Sequence, residues 1–184
     1  MTEITDEKDI APLDRFVLQW GDMGNQWGVN RSIAQIHAVL YLAEKPLTAD
    51  EIAAKLGMAR SNVSNSIKDL LGWNLIRRVP IKNDRRDHYE AETDVWEMFM
   101  RIAAGRKERE IDPAIAALRV CVAEAEQNPQ VSAIARDRLT KMLEFVAMMD
   151  GWYAQMLAVP KSKLATLIRL GTKIISFVPE RKSR

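Results

Sequence analysis

The sequence predicts a mostly α fold. It is a winged helix-turn-helix, with a three-helix core and a two-stranded wing, followed by long C-terminal dimerisation helices. Three observations predict it. Two short amphipathic helical patterns meet at Gly57-Met58-Ala59. Two strand-like runs follow, joined by the basic tip Lys82-Asn83-Asp84-Arg85-Arg86. Beyond them apolar residues recur every three or four positions towards the end of the chain. The organisation expected is a flexible N-terminus over 1–11, a DNA-binding domain over 12–93 and a helical dimerisation region over 94–184.

Composition sets the outer bounds. With 47% hydrophobic residues, 184 residues suffice for one core plus a helical appendage. No apolar run approaches the ~20 residues that a membrane helix needs, and MTEITDEKDI is acidic without a hydrophobic segment. A cytoplasmic location and no membrane partner are therefore expected. Cys121, the one cysteine, cannot close an internal disulfide, and among Leu118, Val120 and Val122 it reads as a small core residue. With two histidines besides, no metal site or cofactor is expected.

The first helical pattern runs from Pro12 to Trp27 through Phe16, Val17, Trp20 and Met23, and Gly28 ends it. The second, Ser32 to Ala43, is apolar enough to be the buried helix on which a reading helix packs, with His37 at the core edge. Trp20, Trp27 and Tyr41 are core by default. Their alternative role is an aromatic lining for a cationic effector, held by cation–π attraction.

Thr48 and Glu51 form a capping box, so a helix starts there. Ile52, Ala53 and Leu56 mark its buried stripe, and Gly57 supplies the positive φ that lets the chain turn. The next helix starts near Arg60 or Ser61. Val63, Ile67, Leu70 and Leu71 fall on one face, and Ser61, Asn62, Ser64, Asn65 and Lys68 on the other. Ser and Asn are poor helix formers, so a face built from them asks for a reason. Base reading supplies one: short side chains admit the backbone to a major groove, and Asn pairs with adenine. Arg60 and Lys68, at the two ends, are placed for phosphates.

Leu75 to Ile81 and Asp87 to Ala91 read as the two wing strands, with Asn-Asp turn chemistry between them. From Lys55 to His88 eight basic residues stand against three acidic ones, a net of +5 in a chain whose total is +2. Such clustering is the footprint of a duplex-DNA reader. The DNA-binding residues expected are Arg60, Ser61, Asn62, Ser64, Asn65, Lys68, Lys82, Arg85 and Arg86.

The span from about Arg31 to Trp96 resembles the winged helix-turn-helix of MarR-type regulators, and more closely their GbsR-like branch. The matching segments are Ala38 to Thr48, Leu56 to Ser64 and, most specifically, Asp84-Arg85-Arg86-Asp87-His88-Tyr89-Glu90-Ala91-Glu92. The resemblance implies a homodimeric DNA-binding transcriptional regulator, often a repressor released by a small molecule. It also implies that Asp84, Arg85 and Arg86 hold the wing and contact the minor groove or backbone.

After the wing, Asp94 with Glu97 opens a helix through Trp96, Phe99 and Ile102 that stops near Gly105. A charged link, Arg106 to Glu110, leads to a helix started by Asp112-Pro113 and closed by Asn128-Pro129. The longest helix, about Gln130 to Ala158, carries Ala135, Leu139, Met142, Val146, Met149, Tyr153 and Met156 as the seam of a coiled coil over three heptads. Leu143, Phe145, Trp152 and Leu157 broaden the stripe beyond one partner's reach, so one seam is expected within the subunit and another across a homodimer. Pro160 breaks this helix, and a last amphipathic pattern runs from Lys161 to Val178. Seven basic residues and Glu180 give 161–184 a net of +6, which is expected to dock on the acidic remainder.

The function read from these features is a sequence-specific regulator of double-stranded DNA at an inverted-repeat operator. The alternative is an effector-independent DNA-binding or protein-interaction module. No paired carboxylates, nucleophile–base set or phosphate loop points to an enzyme, and no catalytic residues are assigned.

Overall fold

The computed structural model describes residues 11–173. The expected N-terminal arm over 1–10 and the last stretch of the final helix, with Ile174, Ile175 and Val178, lie outside the described residues. The chain divides into two units between Ile102 and Ala103, inside a helix.

The first unit begins with α1 (Pro12–Gln26) and α2 (Arg31–Leu42). Gly28, with φ at 80°, turns the chain between them. The Asn30 side chain caps α2 by accepting from the Ser32 amide at 2.8 Å. Strand β1 (Leu47–Thr48) runs into α3 (Ala49–Leu56), and α4 (Arg60–Gly72) follows after the turn at Gly57. Gly57 holds φ at 62°, the left-handed value expected from sequence. Strands β2 (Ile76–Val79) and β3 (His88–Ala91) make the wing, and α5 (Val95–Arg106) leaves it.

The wing is one strand richer than expected. β3 lies in the middle of an antiparallel sheet of order β1-β3-β2, with Leu47 opposite Tyr89 and Thr48 opposite His88. Two residues are too few for an alternating pattern, so only tertiary pairing reveals β1. Thr48 thereby joins the sheet to α3. Its hydroxyl accepts from the Glu51 amide at 3.2 Å, while the Glu51 carboxylate accepts from the Thr48 amide at 2.7 Å. These bonds from Thr48 hold the Glu51 carboxyl below its ordinary pKa.

Ile36, Ile52, Val63 and Leu70 are the centre of the core, all essentially inaccessible to solvent. They come from α2, α3 and α4, and Leu75, Ile76 and Tyr89 of the wing close the cluster. Met98 joins this cluster and Ile102 packs against it, which is why the division of the chain falls within α5 rather than at its start.

The second unit opens with a correction. Arg106 to Glu110 is not a link between helices: Lys107–Ile111 is a turn of π-helix that carries α5 into α6 (Asp112–Gln127). Arg106 and Asp112 both keep right-handed helical dihedrals. Gly105 has no Cβ to meet the Arg109 guanidinium, whose Nη1 would lie 2.7 Å from one. Lys107 is tied to Asp112 and, at 2.6 Å, to Asp150. These local ties favour continuation, and the wider turn accommodates Pro113.

Helix α7 (Ala133–Ala158) is capped by Ser132, whose hydroxyl accepts from the Ala135 amide at 3.2 Å. Its apolar residues fall into two sets. Leu139, Leu143, Val146, Tyr153 and Met156 are half-buried, and the Tyr153 hydroxyl donates to the Ala103 carbonyl at 3.0 Å. Met142, Phe145, Met148, Met149 and Trp152 are exposed, and no residue of α7 is fully buried. Cys121 is also exposed rather than in the core, because α6 buries Ile115, Val122 and Ala125 on a stripe that passes beside it. Helix α8 (Lys161–Leu170) buries Leu164, and Gly171 after it takes φ of 51°.

Candidate nucleic-acid interface

Helix α4 is placed by its apolar face. Val63, Ile67 and Leu70 are buried against α2 and α3, and the buried Ser66 lies among them. The opposite face is therefore forced outwards. Ser61, Asn62, Asn65 and Lys68 are exposed, and Ser64 is half-buried beside them. Arg60, at the start of the helix, reaches back. Its Nε donates to the Asp50 carboxylate on α3, and its Nη1 donates to the Ser64 hydroxyl one turn on. Asn62 donates through Nδ2 to the Ser32 hydroxyl at the start of α2, at 3.2 Å.

The wing tip is organised by Asp84. Its carboxylate accepts from the Arg86 amide at 3.0 Å and from the Arg86 guanidinium, with Nη2 at 2.5 Å. The side-chain bond, then the backbone bond, holds the Asp84 carboxyl far below the usual carboxylate range and raises Arg86. The buried His88 ring stands over the same turn, with Nδ1 3.0 Å from the Arg86 carbonyl and Nε2 3.5 Å from Asp84 Oδ2. Asn83, with φ of 66°, makes the bend, in the left-handed region that Asn tolerates.

A division of labour follows among the charged residues of the tip. Arg86 is committed to Asp84 and stiffens the loop. Lys82 and Arg85 are exposed and make no ion pair among the described residues. Further along the wing, Arg77 pairs with Glu90 at 2.5 Å and Arg78 lies 3.7 Å from Asp87.

A helix with an exposed small polar face, followed by a basic hairpin, is the arrangement that the sequence resemblance anticipated. The MarR family model matches residues 27–87, which run from the end of α1 to the wing tip. The match covers about a third of the chain, the part that holds α2 to α4 and the first strand of the wing. Among curated relatives, YvaV of Bacillus subtilis (strain 168) is 25% identical over 89 residues, covering 48% of this chain and 50% of that protein. The HTH-type transcriptional repressor GbsR of the same organism is 23% identical over 101 residues, covering 55% and 56%. This chain thus spans about half the length of the curated relatives it matches, and GbsR is the branch to which the resemblance pointed. A crystal structure of a transcriptional regulator superposes with a TM-score of 0.62 at 17% identity, covering 80% of this chain and 97% of that one. That likeness shows the fold.

The root of the wing is clamped by a residue that the sequence does not advertise. Arg101 of α5 donates to Glu97 at 2.9 Å, pairs with Glu92 at 3.0 Å and reaches the Asn74 carbonyl at the end of α4. It borders a cavity of about 160 Å³ with Ile76, Arg77, Ala91, Glu92 and Thr93. The i, i+4 spacing to Glu97 is a local signal, whereas the contacts with Glu92 and Asn74 arise only on folding.

The aromatic residues divide. Phe16 stacks on Trp20 at 5.5 Å, and Trp20 and Tyr41 flank the His37 ring at 6.3 and 6.4 Å. Trp27 is not drawn into this group and stands 60% exposed at the end of α1. His37 is buried, its Nε2 has no hydrogen-bond partner, and burial lowers its pKa to about 4, so the ring is neutral.

Proposed function

We propose that this chain is a homodimeric, sequence-specific transcriptional regulator of double-stranded DNA, acting as a repressor that a small-molecule effector releases. The observation that carries the reading is the outer face of α4. Ser61, Asn62 and Asn65 are exposed and directed away from the core, and the wing adds the uncommitted cations Lys82 and Arg85. Ser61, Asn62 and Asn65 are the proposed base-reading residues, with Lys68, Lys82 and Arg85 on the backbone. Arg86 acts by holding the wing in shape. Such a protein works where the genome is, in the cytoplasm.

The exposed stripe Met142, Phe145, Met148, Met149 and Trp152 supports dimerisation, since a second copy is the partner that a two-fold reader of half-sites requires. The domains proposed are the DNA-binding domain over 12–93 and the dimerisation region over 94–184. Trp20 and Tyr41 are the proposed effector contacts, with Trp27 as the third aromatic. An effector needs only a few kcal/mol of preference for one arrangement of the dimer to shift its population.

The test is selection of genomic fragments by the purified chain, then binding of the best fragment and a shuffled control across a salt series. A salt-sensitive preference for an inverted repeat is the expected result. Equal, weak binding to both duplexes overturns the reading.

A further inference from the structure

We infer that Asp50 is a specificity-determining positioning residue, which holds the Arg60 guanidinium so that its free edge addresses a guanine in the groove entered by α4. The inference rests on the proposed reading of α4 as the recognition helix. It adds a residue outside that helix, on the first turn of α3.

The geometry is a three-part clamp. Arg60 Nε donates to Asp50, and Arg60 Nη1 donates to the Ser64 hydroxyl. A guanidinium carries five N–H groups in one rigid plane, and these two contacts use one on Nε and one on Nη1. What remains lies at the terminal end of the plane. That end is the fork that pairs with O6 and N7 of guanine. Ser64 is thereby occupied as a support for Arg60 rather than as a base reader. Both members of the ion pair are more than half exposed, so the clamp faces solvent rather than the core.

The placement of a carboxylate here needs a reason. Phosphates repel Asp50 whatever the sequence, so its charge opposes DNA binding in general. A free Arg60 would take any phosphate in reach, whereas a held one is confined to a single direction. Asp50 therefore lowers indiscriminate affinity and raises discrimination. The same acidic turn, with Glu51 beside Asp50, also bears on Arg86 of the wing. It lies between the two basic elements of the interface.

The test uses the full chain with Asp50→Asn and Arg60→Lys, each put through binding-site selection and then titrated against selected and shuffled duplexes. Asp50→Asn is expected to bind shuffled DNA several-fold more tightly while the ratio of selected to shuffled affinity falls about tenfold. The preference for guanine at one position of each half-site should blur. Arg60→Lys keeps the charge and should lose the same preference at the same position. A support role alone would weaken both duplexes together, so that result, or an unchanged motif with an unchanged ratio, overturns the inference. If the unsubstituted chain selects no motif, the reading of α4 itself falls and takes the inference with it. Melting curves of both variants check that the fold is retained.

Discussion

Asn65 and Arg85 are both exposed and polar, yet they are expected to fail in different ways. Asn65→Ala removes the proposed bidentate base contact, so binding to the selected site should weaken by roughly 1–3 kcal/mol while shuffled DNA is unaffected. Arg85→Ala removes the proposed phosphate contact, so all duplexes should weaken alike and the salt slope should fall by about 1. Parallel titrations across salt concentration separate the two. His37 makes a stability prediction. Burial lowers its pKa from the ordinary 6.5 to about 4, so as pH falls below 6.5 the unfolded chain takes up a proton that the folded chain refuses. Its contribution is complete above pH 6.5 and is lost progressively towards pH 4. Urea midpoints at pH 7 and pH 5 should differ less in His37→Phe than in the unsubstituted chain.

Among the elements, the turn at Gly57 is the sharpest local feature. Its left-handed φ of 62° is inherited by any replacement, and an added Cβ meets nothing within 4 Å, so strain rather than crowding decides the outcome. Gly57→Ala is expected to lower unfolding free energy by about 1 kcal/mol in urea titrations. That turn, the Thr48–Glu51 box and the Asn83 bend were legible from sequence because each is a local solution to a backbone problem. Strand β1 and the π-turn at Lys107–Ile111 were not. The first has two residues and exists only because β3 pairs with it. The second replaces an expected break, since Gly105 and a charged run read as a stop while side-chain ties to Asp112 and Asp150 carry the helix onward.

For the whole molecule, the open question of partners centres on α7. A helix of 26 residues with none fully buried leaves Phe145 and Trp152 each more than half exposed. Covering such side chains is worth roughly 1.5–3 kcal/mol apiece. The double substitution Phe145→Glu with Trp152→Glu is expected to convert the proposed dimer to a monomer in sedimentation velocity. The same variant should bind a half-site and lose its preference for the inverted repeat.

The sequence by itself determined the class of fold, the reading helix with its small polar face, the wing and its charge, because periodicity, caps and turns act within a few residues of one another. It also named most of the side chains proposed to touch DNA. Tertiary structure decided what those side chains are doing before DNA arrives. Arg86 is bound to Asp84 while Arg85 is free, Arg60 is held by Asp50 ten residues away, and Arg101 clamps the wing root from α5. It also decided which apolar residues of α7 are half-buried and which are exposed, and that Cys121 lies outside the core. Composition shows how much charge and apolar surface a chain carries, but only packing determines which groups are already paired and which are left for a partner.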